Sequence, residues 1–423
     1  MHIAIIGNGV AGVTAALRVR ERRLDWRVSL ISGESTYHWS RPALMYVFMG
    51  HMRYRDTKPF EDGFWSEKRI DLVRAWVTRV DVEAKRLELH GKPPLAYDRL
   101  LLATGSKTNR FGWPGQDLDG VQGLYDLRDL KLLGENARGA RHAVIVGGGL
   151  IGIELAEMLH SRNVPVTFLV RESSYWSNVL PAEESAMVNR AIRRAGIGLE
   201  LDTSLAEIVD DGRGRAGAVV TEDGRRLDCQ LVGLTAGVSP NVDLVADSPV
   251  ETGRGVLVDR SLRTSVPDVL AAGDCAEIVD PSGGRNTIQQ VWYTGKMQGE
   301  VAGDVLAGHE RVYEPGIWFN SAKFLDLEYQ TYGKVDADVG DDRSLWWEHA
   351  DGRHGLRLVH EDGRLAGVNA MGLRLRHEVC ERWIREGRDL GHVLAHLAQA
   401  NFDPELFRRH EPAIAASLGR QIA

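Results

Sequence analysis

Two short apolar runs recur along the chain, each followed by a glycine-rich turn and then by apolar residues at helical spacing. The runs are Ile3–Ile6 and Ala143–Val146. A continuous apolar run of this length is typical of a buried strand in a parallel sheet. A further apolar run follows each helical stretch, at Val28–Ser32 and at Val166–Val170. The pattern therefore predicts the succession strand, turn, helix, strand twice in one chain.

The two turns share a glycine spacing that suits a dinucleotide. The first glycine permits the tight turn, the second lets the backbone approach a pyrophosphate, and the third lets helix and strand pack closely. The helix N-terminus then faces the phosphates. One such turn is weak support, whereas two in full context predict two bound dinucleotides. The predicted contacts are Gly7, Gly9, Val10, Ala11 and Gly12 in the first copy, and Gly147, Gly149, Leu150, Ile151 and Gly152 in the second.

Charged residues follow the second strand of each copy. Glu34 places a carboxylate where a ribose hydroxyl would lie. In the second copy Glu172 could accept ribose hydroxyls, which would select NADH, whereas Arg171 could pair with a 2′-phosphate, which would select NADPH. No second arginine occurs before Trp176, so the residues slightly favour NADH.

Two further small-residue strands bracket the second copy. Residues 97–106 end in a Thr-Gly turn, and residues 269–276 end on an acid. We therefore expect an α/β fold of two Rossmann-like dinucleotide-binding domains, the second inserted in the first. The expected boundaries are 1–118 with 236–312 for the first, 119–235 for the second, and 313–423 for a C-terminal α+β domain.

The C-terminal domain shows alternating apolar runs and hairpin signals. Asp-Gly pairs predict hairpin turns at Asp351-Gly352 and Asp362-Gly363 in this domain, and a third pair predicts one at Asp223-Gly224 in the second domain. We expect strands near 324–332, 344–349, 356–360 and 365–371, and helices near 378–385 and 390–400. Trp346, Trp347 and Trp383 are expected in a core or interface. Pro404 and Pro412 interrupt the last segment, so no membrane-binding helix is expected there.

Composition narrows the function classes. The 423 residues carry a net charge of −7, which does not suggest a general nucleic-acid binder. No apolar run approaches membrane-spanning length, and the first strand starts at residue 2, so we expect a cytoplasmic protein. Three distant cysteines disfavour a disulfide framework, a cysteine zinc site and a redox dithiol. His349, His354, His360 and His377 lack tight spacing, and no metal site is predicted.

These motifs together carry a family resemblance. With both glycine turns, Leu102–Gly105 and Val266–Asp274 in order, residues 1–312 resemble the two-dinucleotide flavoprotein family that includes pyridine nucleotide-disulfide reductases, ferredoxin reductases and NADH oxidases. The resemblance implies FAD in the first domain and NADH or NADPH in the second. The further predicted cofactor contacts are Ala103, Thr104, Gly105, Gly237, Gly273 and Asp274.

Within that family the chain looks most like ferredoxin and rubredoxin reductases. Arg41 and Pro42 match their Arg-Pro motif and are predicted cofactor contacts, whereas Met45-Tyr46 replaces their Ser-Lys, so their Lys-Glu pair cannot form. The resemblance implies catalytic positions for Glu154, near flavin and nicotinamide, and for Trp292, which would border the flavin ring and also contact the cofactor. Trp318–Lys323 is similar to an element of those reductases but departs from it at Asn320 and Lys323.

The resemblance predicts an FAD-dependent NAD(P)H oxidoreductase that passes electrons to a small iron-sulfur protein such as ferredoxin or rubredoxin. The alternatives are a reductase of a quinone or oxygen, and a flavin- or NADH-binding redox sensor. A homodimer is left open. Two sets of basic residues form either a solvent-exposed face or a docking patch for an acidic ferredoxin. They are Arg18, Arg20, Arg22, Arg23 and Arg27, and Arg53, Arg55 and Lys58.

Overall fold

The computed structural model describes residues 1–402, 405 and 408–422. Its strands are β1 His2–Ile6, β2 Arg27–Ser32, β3 Ile70–Arg74, β4 Val77–Asp81, β5 Arg86–Leu89, β6 Lys92–Ala96, β7 Arg99–Leu102, β8 Ser106–Thr108, β9 Val121–Gln122, β10 Ala143–Val146, β11 Val166–Leu169, β12 Gly198–Glu200, β13 Leu205–Asp210, β14 Ala216–Thr221, β15 Arg226–Asp228, β16 Leu231–Leu234, β17 Val238–Pro240, β18 Val256–Val258, β19 Val269–Ala271, β20 Ala276–Ile278, β21 Phe319–Phe324, β22 Leu327–Gly333, β23 Ser344–Glu348, β24 Gly355–Glu361 and β25 Arg364–Met371.

The α-helices are α1 Val10–Arg22, α2 Leu44–Met49, α3 Phe64–Glu67, α4 Leu127–Asn136, α5 Leu150–His160, α6 Ala182–Arg194, α7 Trp292–Leu306, α8 His377–Arg385, α9 Leu390–Ala395 and α10 Glu411–Ile422. Short 3₁₀ helices lie at Arg41–Ala43, Tyr54–Thr57, Asp243–Val245, Asp341–Arg343 and Leu397–Gln399. Within the described part of the chain, no helix is both long enough and apolar enough to cross a bilayer.

The first parallel sheet has the strand order β3-β2-β1-β7-β19. Its central strand, β1, is the apolar run before the first glycine turn, and its residues from Ile3 to Ile6 are buried. β7 pairs with β19 in parallel, with Leu102 opposite Ala271. Segments from both sides of the second glycine turn therefore complete one sheet, as the two bracketing strands predict.

The second parallel sheet has the order β12-β11-β10-β16-β9. β10, which precedes the second glycine turn, again occupies the centre, and all four of its residues are buried. The strand after the helix, β11, lies on one side of it and the later strand β16 on the other. The strand-turn-helix-strand pattern is confirmed in both copies.

The chain divides into two compact units. One contains Met1–Asn109, Leu124–Glu135 and Gly237–Pro315, and the other contains Arg110–Gly123, Asn136–Ala236 and Gly316–Ala423. The first unit includes the first parallel sheet, and the second unit includes the second parallel sheet and the C-terminal sheet. The three-domain boundaries given by the sequence stay a prediction.

The C-terminal sheet is antiparallel, with the order β21-β22-β25-β24-β23. The three predicted hairpins are confirmed, because β14 pairs with β15, β23 with β24, and β24 with β25. Trp347 and Trp383 are buried in the core of this part, as expected. The sequence did not predict α10. Pro412 does not interrupt this helix, because it occupies the first turn, where a missing N–H is tolerated. Pro404 lies outside the described residues.

Candidate functional site

The first glycine turn combines two crowded positions with one open position. Gly7 has a φ of +110°, and a Cβ atom there would lie 2.0 Å from the carbonyl oxygen of Ala103. A Cβ atom at Gly12 would lie 2.0 Å from the carbonyl oxygen of Gly7. At Gly9, the N-cap of α1, a Cβ atom would meet no protein atom within 4 Å. The fold thus requires glycine at two positions, while the third leaves free space at the helix N-terminus.

A second helix N-terminus lies beside that of α1. α7 carries a glycine at every fourth position on the side that faces α1. We call these three residues the glycine stripe: Gly295, Gly299 and Gly303. A Cβ atom at Gly299 would lie 2.5 Å from the carbonyl oxygen of Ala11. Because the stripe carries no side chains, the two backbones approach closely.

Neither of these N-termini carries a side-chain cap, as the N-cap residues Gly9 and Val291 make no side-chain hydrogen bond to their helices. Free N–H groups and aligned peptide dipoles at both ends favour a negatively charged group. Trp292 is the first residue of α7, and it is 44% exposed with the Lys296 ammonium 5.9 Å from its ring centre. Its side chain is therefore accessible rather than buried in the core.

Asp274 lies in a small polar network after β19. The Ser106 hydroxyl donates a hydrogen bond of 3.1 Å to its carboxylate, and the Gln290 amide donates one of 2.8 Å to Ser106. Burial raises the pKa of Asp274. The neighbouring Gly273 has a φ of +81° and donates its N–H to the Gln298 side chain at 2.7 Å. The network fixes the turn that carries two predicted contacts.

Glu34 and Arg41, two predicted cofactor contacts, form an ion pair. The Arg41 guanidinium donates to the Glu34 carboxylate at 2.8 Å, and the Leu127 backbone N–H donates to the same carboxylate at 3.1 Å. Arg41 also lies 5.0 Å from the ring centre of Trp39 and 4.8 Å from that of Tyr125. The pair holds both side chains in fixed orientations, and Pro42 is the second residue of the 3₁₀ helix that begins at Arg41.

The second glycine turn repeats the arrangement of the first. Gly147 has a φ of +115°, and a Cβ atom there would lie 2.7 Å from the backbone of Thr235. A Cβ atom at Gly152 would lie 2.9 Å from the Thr235 hydroxyl oxygen, whereas one at Gly149 would meet no protein atom within 4 Å. The buried Tyr175 hydroxyl donates to the Gly149 carbonyl at 2.8 Å. Free space again lies beside the helix N-terminus.

Glu154, on α5, lies in a buried acidic environment. Burial and the charge of Glu157 raise the pKa of Glu154 to about 7. The Lys323 ammonium pairs with the Glu157 carboxylate at 2.9 Å. Glu154 is therefore poised between its protonated and ionised forms near neutral pH.

Arg171 and Glu172, the two residues that bear on the choice between NADH and NADPH, form an ion pair with each other. The Arg171 guanidinium donates to the Glu172 carboxylate at 2.9 Å. The Arg171 side chain is 79% exposed and that of Glu172 is 32% exposed. The pair therefore leaves both coenzymes open.

The other predicted contacts have ordinary backbone roles. Val10 and Ala11 form the first turn of α1, and Leu150 and Ile151 that of α5. Ala103 to Gly105 follow β7, with the Thr104 hydroxyl bonded to the Asn241 carbonyl at 2.7 Å and Gly105 at a φ of +71°. Gly237 has a φ of +88°, and its carbonyl accepts the Asn109 N–H at 3.2 Å.

Sequence reasoning missed several polar residues beside the first turn. The Asn8 side chain donates to the Ser35 carbonyl at 3.0 Å, and the His38 ring nitrogen lies 2.7 Å from the Asn8 carbonyl. Burial lowers the pKa of His38. The position of Asn8 within the turn could have suggested it, whereas nothing local marks His38 or Tyr125.

The basic residues around α1 are occupied by internal contacts. Arg18, Arg22 and Arg311 all lie within 3 Å of Asp304. Arg20 and Arg23 donate to backbone carbonyls, and Arg27 pairs with Asp71. In the following loop Arg53 and Arg55 pair with Asp56, and Lys58 pairs with Asp62. These contacts favour the solvated-face interpretation over a docking patch.

A cluster of metal-binding side-chain types lies at the β23–β24 turn. The spacing of the histidines along the sequence predicted no metal site, yet the ring nitrogens of His349 and His354 and an Asp351 oxygen all lie within 4.8 Å of one another. The hairpin brings the two histidines side by side, which their sequence spacing does not reveal.

The residues present fit the two dinucleotides that the motifs imply. Each open glycine, Gly9 and Gly149, leaves room for a pyrophosphate beside an uncapped helix N-terminus. The crowded glycines hold the turns in the shape that this approach requires. The donors are backbone N–H groups in both turns, which suits phosphate oxygens.

Comparisons with known proteins agree with this geometry. The profile of the family described as pyridine nucleotide-disulphide oxidoreductase matches residues 1–299. The ferredoxin–NAD(+) reductase component of the biphenyl dioxygenase system of Paraburkholderia xenovorans is 32% identical over 305 residues, covering 72% of this chain and 74% of that protein.

Two further relatives extend over more of the chain. The NADH oxidase of Methanocaldococcus jannaschii is 30% identical, covering 88% of both chains. The crystal structure of the ferredoxin reductase for the CYP199A2 system from Rhodopseudomonas palustris superposes with a TM-score of 0.80 at 25% identity, covering 88% of this chain and 91% of that one. Similarity therefore extends beyond the nucleotide-binding region into the C-terminal part.

Proposed function

The chain belongs to the pyridine nucleotide-disulphide oxidoreductase family, and from this membership we propose that it reduces a small iron-sulfur protein with electrons from NAD(P)H. It is an FAD-dependent NAD(P)H oxidoreductase, the class shared by the reductases it resembles. Bound FAD supplies the chemistry, because it accepts a hydride and releases the two electrons singly or as a pair.

The state of the cysteines supports direct electron transfer from the flavin to an acceptor. Cys229, Cys275 and Cys380 are the chain's three cysteines, and all are buried and free. Burial raises the pKa of each thiol, which keeps it protonated and unreactive. A disulfide relay through this chain is therefore excluded, and the electrons must leave for an external acceptor.

The chain's own residues bind and orient the two nucleotides in this proposal. The first-turn N–H groups of α1 and α5 would hold the two pyrophosphates beside Gly9 and Gly149. The ion pair of Glu34 and Arg41 would hold the first nucleotide and Trp292 would border its ring, while Glu154 would lie beside the ring of the second nucleotide. Correct placement lowers the barrier without a protein nucleophile or acid.

Gly149→Leu tests the assignment of the second site. We expect a folded, FAD-containing protein that NADH and NADPH no longer reduce, because the added side chain enters the pyrophosphate space and its Cβ atom meets no protein atom within 4 Å. The measurement is anaerobic stopped-flow bleaching of the flavin band with each coenzyme. Gly63→Leu is the matched control, since Gly63 is also a helix N-cap with open space at its Cβ position. Unchanged bleaching in Gly149→Leu would refute the assignment.

The acceptor is identified by comparing steady-state kcat/KM values under one NADH concentration. A [2Fe–2S] ferredoxin, a rubredoxin, a soluble quinone and oxygen serve as substrates. The proposal expects an iron-sulfur protein to give the highest value. A higher value for the quinone or oxygen would replace it with the second candidate, small-molecule reduction, which the similarity to an NADH oxidase over most of the chain favours.

Two finer expectations belong to this proposal. A homodimer is tested by light scattering of the purified holoenzyme, where the monomer mass of 46.9 kDa would contradict it. A cytoplasmic location also stays a prediction.

A further inference from the structure

The turn between β23 and β24 carries two histidines in register. Glu348, the last residue of β23, pairs with Gly355, the first of β24. The next residues outward are His349 and His354, and the His349 N–H donates to the His354 carbonyl at 2.8 Å. Residues directly opposite in an antiparallel pair project from the same face, so the two imidazoles lie side by side.

Asp351 lies between these two imidazoles. One of its carboxylate oxygens is 3.0 Å from the Nδ1 atom of His349 and 3.0 Å from the Nδ1 atom of His354. The three side chains are 22%, 34% and 27% exposed in chain order, so an ion from solution can reach them. Two nitrogen donors and one oxygen donor therefore converge at an accessible point.

A third imidazole lies against the first two. His410 immediately precedes α10, and it is only 5% exposed. Its ring centre is 4.9 Å from that of His349 and 4.5 Å from that of His354. His410 therefore packs against both imidazoles of the hairpin.

We propose that His349, Asp351 and His354, termed the histidine cluster, bind one divalent transition-metal ion, with Zn²⁺ as the expected occupant. Two imidazoles and a carboxylate, with water as the fourth ligand, form a tetrahedral donor set that suits Zn²⁺. The two nitrogen donors disfavour Ca²⁺ and Mg²⁺, which take oxygen ligands.

The ion would fix the hairpin against which the start of α10 packs. His349, Asp351 and His354 belong to the hairpin, whereas His410 leads into α10. α10 buries Ile414 and Leu418 in the core of the C-terminal part. Because His410 packs against both hairpin imidazoles, an ion that fixes these imidazoles would also steady the start of α10. Because the unfolded chain does not hold the three ligands together, binding would stabilise the folded form.

Metal titration of the holoenzyme tests the site directly. The FAD-containing protein is stripped with a chelator, and Zn²⁺ is titrated in competition with a chromophoric chelator. We expect one equivalent to bind. Co²⁺ added instead should give the intense visible bands of tetrahedral cobalt at wavelengths beyond the oxidised flavin band. Failure to bind Zn²⁺, or six-coordinate cobalt spectra, would overturn the proposal.

Variants locate the bound ion. His354→Asn and Asp351→Asn should each weaken Zn²⁺ binding by more than about tenfold. Both residues are part-exposed, and an unchanged flavin spectrum and NADH bleaching rate confirm that each variant folds. His90→Asn is the matched control, because His90 is exposed and lies in the other unit. Equal affinity in the cluster variants and the control would overturn the assignment.

Hydrogen exchange tests the effect of the ion on the start of α10. In the wild-type holoenzyme Zn²⁺ should slow amide exchange over residues 410–418, and in His354→Asn it should not. Zn²⁺ binding without this protection would overturn the proposed effect on α10. Both readouts are independent of the electron acceptor, so the histidine cluster can fail or succeed separately from the proposed function.

Discussion

Burial controls the charge of individual carboxylates near both glycine turns. Asp274 beside the first sheet and Glu154 on α5 each have a raised pKa because burial disfavours the ionised form. The pKa of Asp304 shifts in the opposite direction. Although burial opposes it, hydrogen bonds from three guanidinium groups lower the pKa of Asp304 to about 2. The three guanidinium groups therefore outweigh burial at Asp304, whereas burial is the larger effect at Asp274 and Glu154.

Glu154→Gln should make the protein more stable at pH 8 and leave it nearly unchanged at pH 4. The pKa of Glu154 is about 7 in the folded protein against a reference value of 4.5. The folded state therefore holds its proton more tightly, and wild-type stability falls as pH rises from 4.5 through 7. The upper bound of this loss is about 3 kcal/mol. Urea unfolding at both pH values measures it, and a gain at pH 4 equal to that at pH 8 would contradict the assignment.

The close packing of α7 against α1 depends on the absence of side chains in the glycine stripe. Gly299→Ala should destabilise the protein by about 1–3 kcal/mol, because its Cβ atom would meet the Ala11 carbonyl oxygen. FAD should also be released more readily, since α1 and α7 would separate. Gly134→Ala on α4 is the control, where a Cβ atom meets nothing and alanine should stabilise by about 0.5–1 kcal/mol. Thermal unfolding and flavin release report the two effects, and a neutral Gly299→Ala would count against close packing.

A buried ion pair joins β24 to α6 within the second unit. Arg357 is fully buried, and it donates to the Glu184 carboxylate at 2.8 and 3.0 Å. Arg357→Met should cost about 3–5 kcal/mol, because Glu184 is left charged and buried. Arg357→Met combined with Glu184→Gln should recover much of that loss. Urea unfolding midpoints distinguish these outcomes, and equal losses in the single and double variants would contradict the explanation.

The sequence predicted those secondary-structure elements that short local patterns determine. The apolar runs and glycine spacing gave β1, α1, β10 and α5, and the Asp-Gly pairs gave the hairpins. It did not predict the contact of Arg41 with the Tyr125 ring, or the approach of His410 to the hairpin. These contacts join residues far apart along the chain, and they depend on register and packing that no short pattern records.

At the scale of the whole molecule, internal pairing removes most of the basic residues of α1 from partner binding. Arg22→Gln should lower the thermal midpoint, because it takes one guanidinium from the buried Asp304. Neither Arg22→Gln nor Arg27→Gln should change the KM for a ferredoxin. Arg27 pairs with Asp71 at an exposed position, so its loss should also leave stability within about 0.5 kcal/mol. A raised KM with unchanged stability in either variant would restore the docking patch.

The pairing of β7 with β19 is delayed while the chain is being synthesised. When β7 leaves the ribosome, the edge that it will offer to β19 has no partner, and everything from Ala103 to Asp268 must be made first. At about 5–20 residues per second that delay lasts roughly ten to thirty seconds. The nascent chain therefore carries an open sheet edge for that time, which is when chaperones or aggregation would act on it. Slower translation of the inserted segment would lengthen this interval without changing a single native contact.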